Sequence, residues 1–400
     1  MWMDHRAKQE VGVINSTKHK VLESVGGIMS VEMQPPKLMW IKQNLPDTWK
    51  RAKHFFDLPD FLSWRATNSL VRNMCSVVGK WSYLATSVTQ MGWDKSFFHL
   101  VGLEDLACDD FFKIGHEVQT PGSPCGSGLS HEAALELGLL GGTPVGASLI
   151  DAHAGALGCL GCCPADLKQL PRLENRLVLI AGTSTCHIVC SQQPVSVPGV
   201  WGPYLSVVVP GMWSNEGGQS SSGNLLDFVT SGHAAFADVK KKATERGIHM
   251  FVYLNEHINK MATKLNKPAS CLTENLHIWP DFHGNRSPVA DPDLCGMVSG
   301  LRLSATEDDL ALLYLATIQA LAYSTSHIVS EMEKYGHKID VLYMCGGLSK
   351  NDLYVQTHAD VLDRPMILPD VQDPVMLGAA MLGACASGAW ESLMVTFLLN

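Results

Sequence analysis

The segment KIDVLYMCGGLSKNDLYVQTHADVL, residues 338–362, joins an apolar run to an amphipathic stretch through two adjacent glycines. The run ending at Cys345 predicts a buried strand, and the residues after Asn351 predict a helix. A strand, a glycine turn and a helix in this order are typical of α/β folds. Two interpretations of the turn stay open. The glycines supply unusual backbone dihedrals and nothing more, or backbone amides and Asn351 converge on a ligand where the helix begins.

The second half of the chain contains further patterns of this kind. RLVLIAGTSTCHIVCS, residues 176–191, predicts a β-hairpin whose GTST turn exposes hydroxyls and amides, and such a turn can hold an anion. Residues 307–336 carry apolar side chains at helical spacing and predict a long core helix that ends at Gly336. VMLGAAMLGACASG, residues 375–388, predicts a second glycine-marked turn.

The first third of the chain predicts amphipathic helices, over residues 35–52 and 55–68. After a loop, residues 131–140 predict a helix and residues 142–151 a strand that leads into Asp151. The connection over residues 161–175 is rich in Pro, Gly and polar residues, so we expect the domain boundary there.

Asp151 is a carboxylate in an otherwise small and apolar segment, LIDAHAGALG, residues 149–158. From this segment alone, a helix N-cap is the favoured interpretation, because Asp accepts backbone N–H groups at helix starts. In the alternative, the small neighbours let a ligand approach and the acid faces that ligand. His153 is interpreted as structural.

A third glycine- and serine-rich turn is predicted in NEGGQSSSGNLLDF, residues 215–228, with Glu216 at its front and Asp227 on the following helix. By itself this pattern indicates a capped helix start. Three such turns together with the isolated Asp151 favour a phosphorylated ligand between them. The sequence contains no GxxxxGK[ST] motif, so a bound nucleotide is not held by a Walker loop.

Composition excludes several classes of protein. The length of 400 residues predicts two domains, and 46% hydrophobic with 17% charged residues predicts an ordered globular chain. The net charge of −9 argues against nucleic-acid binding. Scattered cysteines and a start without signal-peptide character predict a reduced, cytoplasmic protein. The apolar tail LMVTFLL is too short to span a bilayer, so we expect no membrane partner.

The order of these pieces resembles the FGGY carbohydrate kinases, and among them the ribulokinase-like members. The resemblance extends to about Gly388 and is carried by WMDHRA, PPKLMW, GKWSYLA, LIDAHAGALG, AGTSTCH, NEGGQSSSGN, PDFHGNRSP, GMVSGLRLSATEDDLALLYLATIQALAY and MCGGLSKN. It implies an α/β fold of two actin-like, ribonuclease-H-like domains around a cleft. The implied domains are residues 1–165, which bind sugar and are incomplete, and residues 171–388, which bind nucleotide, followed by a divergent tail over 389–400.

The resemblance also implies site residues. Asp151 matches the family's general base and a sugar contact, and the other implied sugar contacts are Trp2, Lys80 and Glu216. The implied nucleotide-binding residues are Thr183, Gly223, Asp227, Gly346, Gly347 and Asn351. The implied ligands are ATP, Mg²⁺ and a small sugar or polyol, with the metal-binding residues unknown and a homodimer left open.

The sequence departs from the family at its start and in its tail. Family members begin with an Asp-x-Gly-Thr strand and turn that faces the phosphates, whereas MWMDHRA matches an internal part of the pattern. We therefore expect a truncated form with impaired activity. Two hypotheses follow: an ATP-dependent pentulose kinase, most like one that converts D-ribulose to D-ribulose 5-phosphate, and a non-catalytic kinase-like binding or regulatory protein. Pocket shape, which the sequence does not show, decides among pentuloses and polyols.

Overall fold

The computed structural model of the chain describes residues 4–87, 89–162 and 171–394. Trp2, the first of the implied sugar contacts, lies outside these residues. The same holds for most of the predicted connection between domains and for the last six residues of the predicted tail.

The described residues before 163 are mainly helical, with strands of two to four residues. The helices are α1 (Lys8–Ser16), α2 (Gln34–Asn44), α3 (Pro46–Arg51), α4 (Leu58–Thr67), α5 (Met74–Trp81), α6 (Lys95–Leu100), α7 (His131–Leu137) and α8 (Asp151–Leu160), and 3₁₀ turns cover Lys20–Ser24 and Glu104–Phe111. The strands are β1 (Arg72–Asn73), β2 (Leu84–Ser87), β3 (Gln90–Gly92) and β4 (Val118–Gln119). The predicted helices at residues 35–52, 55–68 and 131–140 are confirmed, and the first of these is divided at Leu45 because Pro46 starts a new helix.

The residues from 171 onward alternate between longer strands and helices. The strands are β5 (Arg176–Ala181), β6 (Thr185–Ser191), β7 (Trp201–Leu205), β8 (Trp213–Gln219), β9 (His277–Trp279), β10 (Met297–Ser299), β11 (Val341–Cys345) and β12 (Met366–Ile367). The helices are α9 (Gly223–Ser231), α10 (Phe236–Glu245), α11 (Met250–Leu265), α12 (Glu307–Lys334), α13 (Asp352–Leu362) and α14 (Pro374–Ala386), with 3₁₀ turns at Leu173–Asn175, Ala269–Cys271 and Gly347–Lys350.

A six-stranded sheet forms the centre of the second half, in the order β12-β11-β5-β6-β8-β7. β12, β11 and β5 run parallel, whereas β5, β6, β8 and β7 pair antiparallel. The predicted hairpin is β5 and β6, in register from Leu177 opposite Val189 to Ala181 opposite Thr185. Its turn over residues 182–184 therefore leaves the sheet at the same edge as the Gly346–Gly347 turn after β11.

The long core helix that the sequence predicts is α12, whose stripe residues Leu310, Tyr314, Ile318 and Leu321 are fully buried. They belong to one hydrophobic cluster with Leu177 and Leu179 of β5 and with Leu342 and Met344 of β11. Among the described residues no helix, α12 included, is both long enough and apolar enough to span a membrane.

The prediction of a second glycine turn over residues 375–388 is wrong, because α14 runs through this segment as far as Ala386. The glycines serve close helix packing instead. A Cβ on Gly378 would lie 1.9 Å from the carbonyl oxygen of Ala154, and one on Gly158 would lie 2.0 Å from that of Pro374. α8 and α14 thus approach backbone to backbone, and small residues at the contact make this possible.

The predicted strand over residues 142–151 is also wrong. The segment makes one isolated bridge, between Gly146 and Pro124, beside hydrogen bonds such as that from Cys125 N to Val145 O (2.7 Å). Its neighbour, residues 121–128, is the PGSPCGSG loop. Proline has no backbone donor, and glycines at positive φ turn the loop away from a strand, so a continuous ladder does not form.

Candidate active site

A large open cavity of about 1670 Å³ lies beside the start of α8 and the exposed side of α14. One part of its wall is polar and contains Glu32, Gln34, Lys37, Lys80 and Asp151. Carboxylates, amides and ammonium groups together can donate to and accept from hydroxyl groups. This part of the cavity is therefore suited to a polyhydroxylated ligand.

Asp151 is the first residue of α8 and is solvent-exposed. The N-cap position belongs to Ile150, and no side-chain cap is formed, so the capping interpretation of Asp151 is wrong. Its Oδ1 accepts a hydrogen bond from the amide of Ala152 at 2.8 Å. The carboxylate is accessible from the cavity, as the ligand-facing interpretation requires.

Lys80 and Glu216 form an ion pair, with 3.4 Å from Nζ to Oε1. Lys80 is in the last turn of α5, and Glu216 lies within β8 rather than at the front of a turn, which corrects the sequence prediction. Antiparallel pairing places Glu216 opposite Ile188 on β6 and Trp201 on β7. Strand pairing on both sides thus fixes the backbone that carries the carboxylate.

His153 contacts the same carboxylate, with 3.4 Å from Nε2 to Oε2 of Glu216. Burial lowers the pKa of His153, so a neutral imidazole is favoured there. Burial by itself would raise the pKa of Glu216, but the positive charges of Lys80 and Arg286 hold it below its usual value. An ionised Glu216 follows, in spite of its nearly complete burial.

A second buried ion pair joins Glu32 and Arg286. Both oxygens of Glu32 accept from the guanidinium group, Oε2 from Nη2 at 3.1 Å and Oε1 from Nε at 3.3 Å. The indole of Trp201 lies under two cations, 4.0 Å from Lys80 Nζ and 5.4 Å from the Arg286 guanidinium carbon. Cation–π contact and pairing compensate for the removal of these charges from water.

A separate cavity of about 790 Å³ gathers most of the implied nucleotide residues. Its wall includes Thr183 in the hairpin turn, Gly223 and Asp227 on α9, and Gly347 and Asn351 beside α13. Other residues of the wall are Gly182, Asn224, His249, Phe251, Val252, Asn255, Leu348 and Lys350. The structure therefore brings three sequence-distant segments of the prediction into one site.

Backbone contacts hold these turns together. The amides of Ser222 and Gly223 donate to the carbonyls of Thr183 (2.9 Å) and Gly182 (3.0 Å). A Cβ on Gly223 would lie 2.6 Å from the Gly182 oxygen. Gly346 has φ +92, and a Cβ there would lie 2.4 Å from the oxygen of Ala181, so glycine is required for the turn after β11 to sit against the hairpin.

Helix α8 starts at the larger cavity and packs against the strands that lead to the smaller one. A Cβ built on Gly155, one turn after Asp151, would lie 3.5 Å from Ile180 and 3.4 Å from Cys345. Ile180 is next to the end of β5, and Cys345 ends β11, immediately before the two turns that line the smaller cavity. The start of α8 is thus anchored to the strand ends from which these turns leave.

Several residues at these sites were given no role in the sequence prediction, among them Glu32, Lys37, Arg286 and Asn255. Glu32 shortly precedes the PPKLMW motif, Lys37 lies within it, and Arg286 lies within PDFHGNRSP. Their charge was visible in the sequence, but their partners were not, because Glu32 and Arg286 are 254 positions apart.

The structure thus provides one cavity with a hydrogen-bonding wall and a second one lined by glycine-containing turns. The N-terminal domain of the FGGY family of carbohydrate kinases matches residues 1–158, and the C-terminal domain of that family matches residues 177–387. The chain belongs to the FGGY family of carbohydrate kinases. The predicted α/β fold of actin-like domains is thereby confirmed, whereas the domain boundaries and the roles of individual site residues stay predictions.

Relatives and solved structures agree with this assignment. A human FGGY carbohydrate kinase domain-containing protein is 53% identical, over 98% of this chain and 71% of the human protein. A D-ribulokinase of Saccharomyces cerevisiae is 39% identical, over 97% of this chain and 57% of the yeast protein. The ligand-bound crystal structure of a xylulose kinase from Lactobacillus acidophilus has a TM-score of 0.75 at 18% identity, and the match covers 99% of this chain and 72% of that structure.

Proposed function

We propose that the chain phosphorylates a pentulose with ATP and that the pentulose is D-ribulose. The observation that carries the proposal is the position of Asp151. Its exposed carboxylate shares a polar cavity wall with Lys80, and its helix packs against the strand ends that precede the nucleotide turns. The similarity to a yeast D-ribulokinase supports the choice of sugar.

In this proposal Asp151 is the general base. A sugar hydroxyl is a poor nucleophile, and a carboxylate within reach accepts its proton while the bond to phosphorus forms. Lys80, Glu216 and Trp2 are the proposed sugar contacts, and Glu216 is paired with Lys80. Because Lys80 and Glu216 neutralise each other, the pair presents hydrogen-bonding groups without a large net charge to an uncharged sugar.

The smaller cavity is the proposed ATP site. The turn at Thr183 faces the γ-phosphate, and Gly223, Asp227, Gly346, Gly347 and Asn351 surround the rest of the nucleotide. The apolar residues Phe251 and Val252 of the same wall suit an aromatic base. Backbone amides of the hairpin turn, in which Thr183 is exposed, would donate to phosphate oxygens, as in other anion-binding turns.

Magnesium is the proposed metal, and it would neutralise charge on the transferring phosphoryl group. Among the described residues, no cluster of three or more His, Cys, Asp or Glu side chains could hold a metal ion. Mg²⁺ in kinases keeps several waters and is bound by substrate phosphates with one or two carboxylates. The described residues therefore fit a metal ion that binds together with ATP, and not one coordinated by protein side chains alone.

The test is phosphorylation by the purified chain, measured as ADP release with D-ribulose, L-ribulose, D-xylulose and ribitol in parallel. We expect the highest kcat/KM for D-ribulose. A clear preference for another polyol would contradict the choice of sugar, and ATP turnover that no sugar stimulates would contradict the kinase proposal. The same assay, calibrated against a D-ribulokinase relative, tests the prediction of impaired activity.

A further inference from the structure

A closed ring of three hydrogen bonds lies in the wall of the smaller cavity. Tyr314 Oη donates to Asn255 Oδ1 at 3.1 Å, Asn255 Nδ2 donates to Asn351 Oδ1 at 2.9 Å, and Asn351 Nδ2 donates to Tyr314 Oη at 2.7 Å. Each member donates once and accepts once. The direction in which the hydrogen bonds run around the ring therefore fixes the orientation of the Asn255 and Asn351 side-chain amides.

The ring joins three helices at one point. Asn255 is on α11, Tyr314 is fully buried on α12, and Asn351 is the N-cap of α13. Asn351 also closes the 3₁₀ turn, since its amide donates to the carbonyl of Leu348 at 3.1 Å. The position of the Gly347–Lys350 turn thus depends on where the ring holds Asn351.

The aromatic wall of the cavity is connected to the same ring. Phe251, in the first turn of α11, stacks on Tyr314 with 5.0 Å between ring centroids and an interplanar angle of 27°. Phe251, Asn255 and Asn351 all line the cavity, whereas Tyr314 lies behind them. One buried tyrosine is therefore in contact with both sides of the wall, with the polar side through its hydroxyl and with the apolar side through its ring.

We infer that Tyr314 and Asn255 are positioning residues for the nucleotide, acting through Asn351 and Phe251. This inference rests on the proposed ATP site and extends it beyond the residues that the resemblance implied. Without the Tyr314 hydroxyl, two of the three hydrogen bonds of the ring are lost, and the Asn351 side chain keeps only the bonds that its Oδ1 accepts from Asn255 Nδ2 and from the amide of Tyr354. The turn at Gly347 then no longer has one fixed arrangement before ATP binds, and ordering it weakens binding.

The test compares Tyr314→Phe with Tyr253→Phe. Tyr253 is on α11, and its hydroxyl donates to Glu307 Oε1 on α12 at 2.7 Å, so this control removes a different hydrogen bond between the same two helices. ADP affinity is measured by titration calorimetry, and KM for ATP, KM for D-ribulose and kcat by steady-state assay. Thermal unfolding is recorded for every variant.

For Tyr314→Phe we expect ADP dissociation constants and KM for ATP to rise roughly five- to thirtyfold, as the loss of one or two net hydrogen bonds implies. KM for D-ribulose should stay unchanged, and Tyr253→Phe should stay within about twofold of the wild type for ADP. A role in helix packing alone would lower the unfolding temperature of both variants and leave ADP affinity unchanged, which would overturn the inference.

Asn255→Ala is the second variant, for use where Tyr314→Phe does not fold. Asn255 is half-buried, so its truncation leaves the core around Tyr314 filled. Asn255→Ala should raise the ADP dissociation constant by a factor in the range expected for Tyr314→Phe. An unchanged ADP affinity would overturn this inference and leave the proposed function standing. Failure of the wild-type chain to bind ADP would overturn the proposed function and this inference together.

Discussion

The ammonium group of Lys80 lies 3.4 Å from the carboxylate of Glu216, with 16% and 3% of the two side chains exposed. Lys80 belongs to the segment matched by the N-terminal family domain, and Glu216 to the segment matched by the C-terminal one. The pair therefore links the two matched regions beside the larger cavity. Its charges contribute to stability only as long as both are present.

Removing one partner of this pair should be costly. We expect Lys80→Met to lower the free energy of unfolding by about 3 kcal/mol, because the carboxylate of Glu216 stays buried with less compensation. Urea unfolding at neutral pH measures the change. The matched control is Lys241→Met, whose exposed pair with Glu245 spans 3.9 Å and should contribute less than about 1 kcal/mol. Equal losses in the free energy of unfolding for the two substitutions would show that burial does not increase the cost of breaking the Lys80–Glu216 pair.

Asp151→Asn tests the general base. The substitution keeps size and polarity but removes the proton acceptor, so kcat should fall by roughly two to four orders of magnitude while ADP affinity stays the same. Stopped assays with D-ribulose measure kcat, and titration calorimetry measures ADP affinity. Asp47→Asn, at an exposed first-turn position of α3, is the control and should leave kcat unchanged. Full turnover by Asp151→Asn would rule out its role as base.

Gly346 and Gly347, the adjacent glycines after β11, should respond differently to replacement by valine. A Cβ on Gly347 meets no atom within 4 Å, so Gly347→Val should fold, but its side chain should occupy nucleotide space and abolish detectable ADP binding. Gly346→Val should unfold at much lower temperature, because its φ of +92 and the Ala181 oxygen at 2.4 Å exclude a side chain.

Thermal unfolding and ADP calorimetry separate these effects. Gly12→Val on α1, where a Cβ also meets no atom within 4 Å, controls for the general effect of valine in place of glycine. ADP affinity of Gly347→Val equal to that of the wild type would place the nucleotide elsewhere.

Asp60 should make stability depend on pH. It is buried, and its Oδ1 accepts from the backbone and side-chain nitrogens of Asn73 at 2.8 and 2.7 Å. Burial raises the pKa of Asp60 to about 7, against the opposing effects of Asn73 and Arg72. Between the unfolded pKa of about 4 and the folded pKa, the native state binds more protons than the unfolded state.

Stability should therefore fall as pH rises from about 4 to about 7 through this group. Asp60→Asn keeps an oxygen acceptor for Asn73 and cannot ionise, so the free energy of unfolding of the variant minus that of the wild type should grow with pH over this window. Denaturant unfolding at pH 5, 6 and 7 measures this difference, which should change by up to about 1.4 kcal/mol for each pH unit. A difference that does not change with pH would mean that Asp60 is ionised throughout.

Local patterns in the sequence determined much of the second half of the chain. Three elements could be predicted from single segments: the hairpin of β5 and β6, the helix α12, and the strand, turn and helix around Gly346. Each has its own apolar periodicity and a glycine at its turn or at its end. The ordered motifs also identified the family, because many weak local signals in a fixed order are specific together. Asp151, Thr183, Gly223, Asp227, Gly347 and Asn351 were named in this way.

The tertiary structure alone decided which residues meet. The sequence around residues 142–151 has the composition of a strand, but a ladder needs a partner with free donors, and the neighbouring proline- and glycine-rich loop does not provide one. Gly378 looks like a turn residue, but it lies within α14 where the backbone of α8 comes close. The burial of Glu216, its pairing with Lys80 and the ring at Tyr314 depend on contacts between residues far apart in the chain, and neither periodicity nor composition encodes such contacts.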